Sequence, residues 1–277
     1  MTSADIDTVV IYLFAFSIHW PRKDERTFKN QVYLWLSKKK PDLYNITGII
    51  LQLENFFEQK HVGAIIAISF CIGGNDFLPN FHGISHESIL TAVTIDKNIL
   101  SGLIRFTYKP SGEVLKCTID EEMYLKLMKK LYCPNNLNEE LLSLEEVSQL
   151  AIKPPNKSEF RHPQSWMPPE TALKKLCQLT QCQIDYLMTC YDHSADLPDF
   201  LSKVCLLKSK DGDVVYDLGE NIHTGDKTSL LTIPEDHLSA NLIKAKIVQR
   251  KSKKRGLVVT PQQTGACKRQ PMISTPR

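Results

Sequence analysis

The sequence predicts an α/β chain with a large helical share, and three observations carry that prediction. Residues 32–36 (Val-Tyr-Leu-Trp-Leu) have the branched and aromatic composition of a β-strand, and residues 43–46 offer a second, shorter one. Residues 61–72 read as a helix so nearly all apolar that it belongs inside a core. From Leu173 to Tyr191, apolar side chains recur at helical spacing: Leu173, Leu176, Cys177, Thr180, Ile184, Leu187, Met188 and Tyr191. With 277 residues, 42% apolar and 23% charged, the chain is long enough for one large domain or two small ones.

The elements follow in order. An apolar run, residues 9–16, comes first, and a charged stretch from Arg22 to Arg26 separates it from the first strand. Lys38, Lys39, Lys40 and Pro41 end that strand. Residues 51–57 form a helix ahead of the buried one, which Gly73 and Gly74 stop. Beyond Asp76 the pattern is helical. Thr118-Ile-Asp-Glu121 and Ser143-Leu-Glu-Glu146 both have the form of a capping box, in which hydroxyl and carboxylate each satisfy a backbone N–H of the other. Five prolines in residues 153–169 mark a linker, and Pro168-Pro169 opens the long helix. Residues 203–208 and 213–218 flank Asp211-Gly212, a strong hairpin signal. After residue 233 the apolar periodicity fades.

Charge is distributed unevenly. Residues 244–277 hold ten Lys or Arg and no acid, which leaves residues 1–243 with 24 basic and 31 acidic side chains, a net of −7. Affinity for nucleic acid from bulk charge therefore belongs to the tail or to a local patch. The run Arg250, Lys251, Lys253, Lys254 and Arg255 suits an import receptor or a phosphate backbone, and otherwise is a solvated basic tail. No apolar run is long enough to span a bilayer, and Asp5 and Asp7 stand where a signal peptide would be positive, so a soluble intracellular protein is expected. Cys177, Cys182, Cys190 and His193 match no common zinc module, and reduced, buried thiols are expected instead. No P-loop, GxGxxG or GxSxG occurs, and the three tryptophans are scattered.

Three carboxylates stand out. Asp5 and Asp7 form a D-x-D step at the edge of the first apolar element, and Asp76 follows the Gly73-Gly74 break. A hard cation such as Mg2+ takes oxygen ligands, and such a pair plus a distant third suits one site. The alternative is that Ser3 or Asp5 caps one helix and Asp76 the next. His61, His82 and His86 cluster near Asp76 in sequence but read as surface or cap residues.

Ser3-Ala-Asp5-Ile-Asp7 followed by Gly74-Asn-Asp76-Phe resembles the second half of the flap-endonuclease and PIN-like nuclease superfamily, closest to its diverged, transposon-associated animal branch. That family has an [S/T]-x-D-x-D step, a later G-x-D closing a helix, and then a helix–turn–helix with a G-I-G turn, at whose offset this chain has Gly83-Ile84-Ser85. The resemblance implies a partial parallel sheet wrapped by helices, followed by a long helix, a β-hairpin and a disordered basic tail. It implies metal ligands at Asp5, Asp7 and Asp76, a phosphate-facing turn at Gly83, Ile84 and Ser85, and Mg2+ or Mn2+ as a weakly held cofactor. The expected organisation is a truncated PIN-like module (1–152), a Pro-rich linker (153–169), a helix plus hairpin (170–233) and the tail (234–277). The family's N-terminal acidic ligands have no counterpart here, Ser85 replaces its second turn glycine, and Glu87 stands where a basic residue is usual. The expected function is thus that of a nuclease-derived module inactive alone, located in the nucleus or cytoplasm, with nucleic acid met mainly through the tail. The other reading is a catalytically silent nucleic-acid-binding or protein-interaction module.

Overall fold

The computed structural model describes residues 2–3, 6–24, 26–36, 42–75, 78–135, 137–152, 163–192, 194–196, 206–208 and 214–216. The described residues form a mixed α/β fold with eight α-helices and four small sheets. Strand β1 (Thr2–Ser3) runs parallel to β4 (Tyr33–Leu36), which pairs antiparallel with β5 (Asp42–Asn45). Both strands expected from the sequence are therefore present. The expected sheet of parallel strands is reduced to that one two-residue pairing, because the remaining described strands are joined by short turns that only antiparallel partners can use.

The apolar run folds as helix α1 (Ile6–Ile18). It is apolar on nearly every side because it lies between two clusters. Val10, Phe14 and Ile18 enter the main core, while Phe16 joins Phe28, Leu34, Ile46 and Ile50 beneath the three-stranded sheet. Full burial of side chains such as Phe14 and Ile50 stabilises the fold by roughly 2–3 kcal/mol each. The charged stretch after α1 forms a small hairpin, β2 (Arg22–Asp24) with β3 (Thr27–Phe28). It is held by Arg22, whose guanidinium lies 4.6 Å from the Phe28 ring centroid and donates to both Glu54 carboxylate oxygens at 2.7 and 2.8 Å.

Helix α2 (Ile46–Phe57) starts at Asn45, whose side chain accepts from Gly48 N at 2.9 Å. Helix α3 (Val62–Ile72) is the centre of the molecule, with nine of its eleven residues buried. It lies antiparallel to α1, as three contacts show. His61 Nδ1 meets Ser17 O at 2.8 Å, Gly63 abuts Ser17, and Asp7 acts electrostatically on Cys71.

Past residue 76 the helical expectation holds for α4 (His86–Ile95) and α5 (Lys97–Gly102), then gives way to an antiparallel pair, β6 (Ile104–Tyr108) with β7 (Val114–Ile119). Thr118 consequently lies in β7 and caps nothing. The cap of α6 (Glu121–Tyr132) is Asp120, which accepts from Met123 N at 3.0 Å and pairs with Arg105. The second capping box is as expected: Glu146 N donates to Ser143 Oγ at 3.1 Å and Ser143 N to Glu146 Oε2 at 2.7 Å, at the start of α7 (Leu144–Ile152).

Helix α8 (Glu170–Thr189) carries the expected stripe, with Leu173, Leu176, Cys177, Thr180, Ile184 and Leu187 buried and Tyr191 beyond its end exposed. It packs into the same core as α1, α3 and α6. Gln181 acts as a strand-like partner for β7, accepting from Ile119 N at 2.8 Å and donating to Cys117 O at 3.1 Å. Within the Pro-rich stretch, Pro163–Ser165 forms a 3₁₀ turn and Met167 is buried; residues 153–162 lie outside the described residues. The expected hairpin is present as β8 (Leu206–Lys208) with β9 (Val214–Tyr216), while Asp211-Gly212 and residues 217–277 are outside the described residues. No described helix is long and apolar enough to cross a membrane.

Candidate functional site

The antiparallel α1–α3 pair has two ends, and each gathers polar groups. At one end is the start of α1, the helix that follows parallel strand β1 in sequence, with exposed Asp7 in its first turn. The end of α3 lies beside it. Burial pushes the Cys71 thiol up to about 12, and the neighbouring Asp7 carboxylate adds to that shift. The thiol is thus protonated at neutral pH.

The loop after α3 is tightly tied. Gly74 adopts φ +100°, and a Cβ there would collide with Asn80. Asn75 exchanges two hydrogen bonds with Leu78: its backbone N donates to Leu78 O at 2.9 Å, and its Oδ1 accepts from Leu78 N at 3.0 Å. His86, from the first turn of α4, returns to this loop. Its Nε2 lies 3.0 Å from Gly74 O, and its ring stacks on Phe70 with centroids 4.1 Å apart. Asp76 and Asp5 lie outside the described residues, but residues flanking Asp76 are held at the end of the helix pair that carries Asp7.

The predicted phosphate-facing turn is a real turn. Gly83 has φ +78°, Ile84 N donates to Phe81 O at 3.1 Å, and Ser85 is the N-cap of α4, accepting from Ser88 N at 3.1 Å. Glu87 occupies the first turn of α4 and complements the positive end of that helix itself. The basic residues Arg250, Lys251, Lys253, Lys254 and Arg255 lie outside the described residues.

The three histidines stand at helix ends or on the surface, as expected. His61 is at the far end of the eleven-residue helix α3, roughly 16 Å away by helical rise; His82 is exposed; only His86 reaches the Gly74 loop. Among the described residues no group of three or more His, Cys, Asp or Glu is placed to hold a metal ion. Of the three aspartates Asp7 is described, and it is exposed; the side chains of Asn75 and Asn80 lie in the loop after α3. Two bridged cations need several shared carboxylates, which Asp5 and Asp76 would have to supply. Cys177 and Cys182 are buried on α8, with burial pushing Cys177 up to about 12; Cys190 is exposed, and His193 is outside the described residues.

The other end of the helix pair was not singled out from the sequence. A cleft of about 510 Å³ opens between the end of α1 and the β6–β7 turn, lined among others by His19, Trp20, His61, Lys109, Ser111 and Tyr191. A second cavity of about 480 Å³ shares Arg22, His61 and Gly112 with it and adds Lys60 and Tyr108. His61 holds an unusual backbone conformation, φ +59°, fixed by its N–H to Glu54 Oε1 at 2.9 Å and its Nδ1 to Ser17 O. The His19 ring lies against Tyr191, centroids 4.0 Å apart, and its Nε2 is buried without a hydrogen-bond partner. Burial, helped by the charge of Lys109, brings His19 down to about 4, so the ring is neutral at physiological pH. The sequence did hold a signal: polar residues Ser17 and His19 interrupt the end of an otherwise apolar helix.

The depressed His19 makes stability pH-dependent. The unfolded chain takes up the proton near pH 6.5, the folded chain only near 4, so protonation favours unfolding between those values. Stability should be level above pH 6.5 and fall as pH drops towards 4, by about 1–2 kcal/mol once the ring's partial solvent access is discounted. His61, lowered mainly by burial, acts in the same direction. Urea unfolding at pH 7.5 and 4.5 measures the drop, and His19→Phe should flatten it.

The fold and its two polar ends define a mixed α/β protein built around one buried helix. No protein-family model, curated protein or solved structure matches the chain.

Proposed function

We propose that this chain is a PIN-like, nuclease-derived module that binds nucleic acid and does not hydrolyse it by itself. The observation that carries the reading is the shared position of Asp7, in the first turn of the helix that follows parallel strand β1, and of the end of α3. Ligands in α/β proteins gather at the carboxyl ends of strands, and Asp7 of the D-x-D step lies near the end of α3, which precedes the G-x-D step in sequence. The helix–loop–helix from α3 through Gly83 to α4 agrees with the same resemblance.

The chemistry of the turn argues for binding without hydrolysis. Ser85 uses its hydroxyl on its own helix, and Glu87 sets a negative charge where a phosphate would approach. Two-metal hydrolysis needs both ions close together despite their mutual repulsion, and loss of the second would cost several orders of magnitude in rate. The test is the purified chain with Mg2+ or Mn2+ and flap, duplex and single-stranded substrates. No turnover above background is expected. Cleavage abolished by Asp76→Ala or Asp7→Asn would replace this reading with that of an active nuclease.

A further inference from the structure

We propose that the cleft between the end of α1 and the β6–β7 turn binds a single nucleotide, its base among the His19, Trp20 and Tyr191 rings and its phosphate at Lys109 and Ser111. The inference rests on the nucleic-acid reading for its ligand class, but it concerns a surface distinct from both the basic tail and the Asp7 end.

Three features of the cleft point to this ligand. Its volume, about 510 Å³, is that of a small-molecule site, and it is walled by flat rings on one side and on the other by the β6–β7 turn, which brings Lys109, Ser111 and Glu113. Base stacking on aromatic rings combined with a cation at the phosphate is the general recipe for nucleotide recognition. Tyr191 is 59% exposed although its ring covers His19, so one face is open to a stacking partner.

The polar groups are unspent or readily released. His19 Nε2 is buried and unpartnered under the Tyr191 ring, so a ligand that stacks on Tyr191 alters the surroundings of that nitrogen without touching it. Ser17 Oγ is also unpartnered but is wedged against Gly63, so packing accounts for it. Lys109 is held only by an exposed pair with Glu113 at 3.2 Å, a type of contact worth little and easily exchanged for a phosphate. Arg22 is committed to Glu54, so Lys109 is the cation that the first cleft offers a phosphate.

His61 adds a preference among bases. Its Nδ1 must carry the proton that it donates to Ser17 O, which leaves Nε2 as an acceptor. An acceptor in the wall favours a base with an exocyclic amino group, as in adenine or cytosine.

Calorimetry and 15N NMR of the histidine rings, on the full chain with adenosine 5′-monophosphate (AMP), test this. Binding on the order of 10–100 µM is expected for a ligand of that size, with the His19 Nε2 resonance shifting. Inosine 5′-monophosphate, which replaces the amino group by oxygen, should bind roughly three- to tenfold more weakly, and inorganic phosphate or adenosine alone more weakly still. Tyr191→Ala and Lys109→Ala, both at exposed positions that leave the core intact, should each weaken AMP by about tenfold. Alanine at Lys251, Lys253 and Lys254 should leave AMP binding unchanged while lowering affinity for a ten-residue deoxyadenosine strand. If that same strand shifts the His19 resonance, the ligand is a strand end; if only AMP does, it is a free nucleotide. AMP binding unaffected by Tyr191→Ala and Lys109→Ala, or absent while the strand still binds, would overturn the inference and leave the nucleic-acid reading standing.

Discussion

Deleting residues 244–277 is expected to remove nearly all of the chain's non-specific affinity for nucleic acid. Those residues carry ten positive and no negative side chains, whereas the body before them carries a net charge of −7. A polyanion gains from the tail by releasing condensed counterions. If six or more of the ten cations contact phosphates, affinity should fall roughly 10³-fold or more between 50 and 200 mM salt. The truncated chain has no such source, and its acidic body repels the strand at long range. Fluorescence anisotropy with a labelled duplex across that salt range measures both effects. The full chain should give a steep, linear log–log dependence and the truncated chain a flat one. A truncated chain that binds duplex as tightly as the full chain at low salt would move the contact surface onto the body.

Gly63→Val should destabilise the fold by about 2–3 kcal/mol. Glycine is usually a weakness inside a helix, and replacing it by alanine usually helps by up to about 1 kcal/mol. Here α1 crosses so close that a Cβ on residue 63 would lie 2.3 Å from Ser17 Oγ and 3.3 Å from Ile50 Cγ1. Ser17 and Ile50 are both buried, so neither has room to withdraw. Valine adds two methyl groups to that collision and pushes α1 away from α3, opening the core around Phe14 and Ile65. For a domain of this size the change should lower the melting temperature by about 5–10 °C. Ser17 supplies the control. Its hydroxyl is buried and unpartnered, so Ser17→Ala should be neutral or mildly stabilising. Gly63→Ala with Ser17→Ala should be more stable than Gly63→Ala alone. Additive single effects in that pair would show that the collision is absent.

The sequence by itself determined what is settled by neighbours along the chain. The 3.6-residue stripe of α8, the unbroken apolar run of α3 and the aromatic strand β4 are all written in local periodicity. So is the Ser143–Glu146 capping box, whose two bonds span three residues. The D-x-D and G-x-D steps were legible in the same way, as was the charge division between body and tail.

Tertiary structure decided the rest, because there the partner of a group lies far along the chain. The capping-box form in the sequence assigns the cap to Thr118. The pairing of β7 with β6 fixed Thr118 in a strand and left the role to Asp120. The strands at 104–108 and 114–119 do alternate, but the turn between them reads as polar punctuation until it closes a hairpin. His61 reads in sequence as a surface or cap residue, and it stands at the N-cap of α3, eleven helical residues from Gly73. There it meets Ser17, 44 positions away. The His19 cleft needed three distant segments: the end of α1, the β6–β7 turn and Tyr191 after α8. No local pattern encodes such a meeting. It follows from a buried helix, α3, that forces every other element to pack around it and so chooses which polar ends face one another.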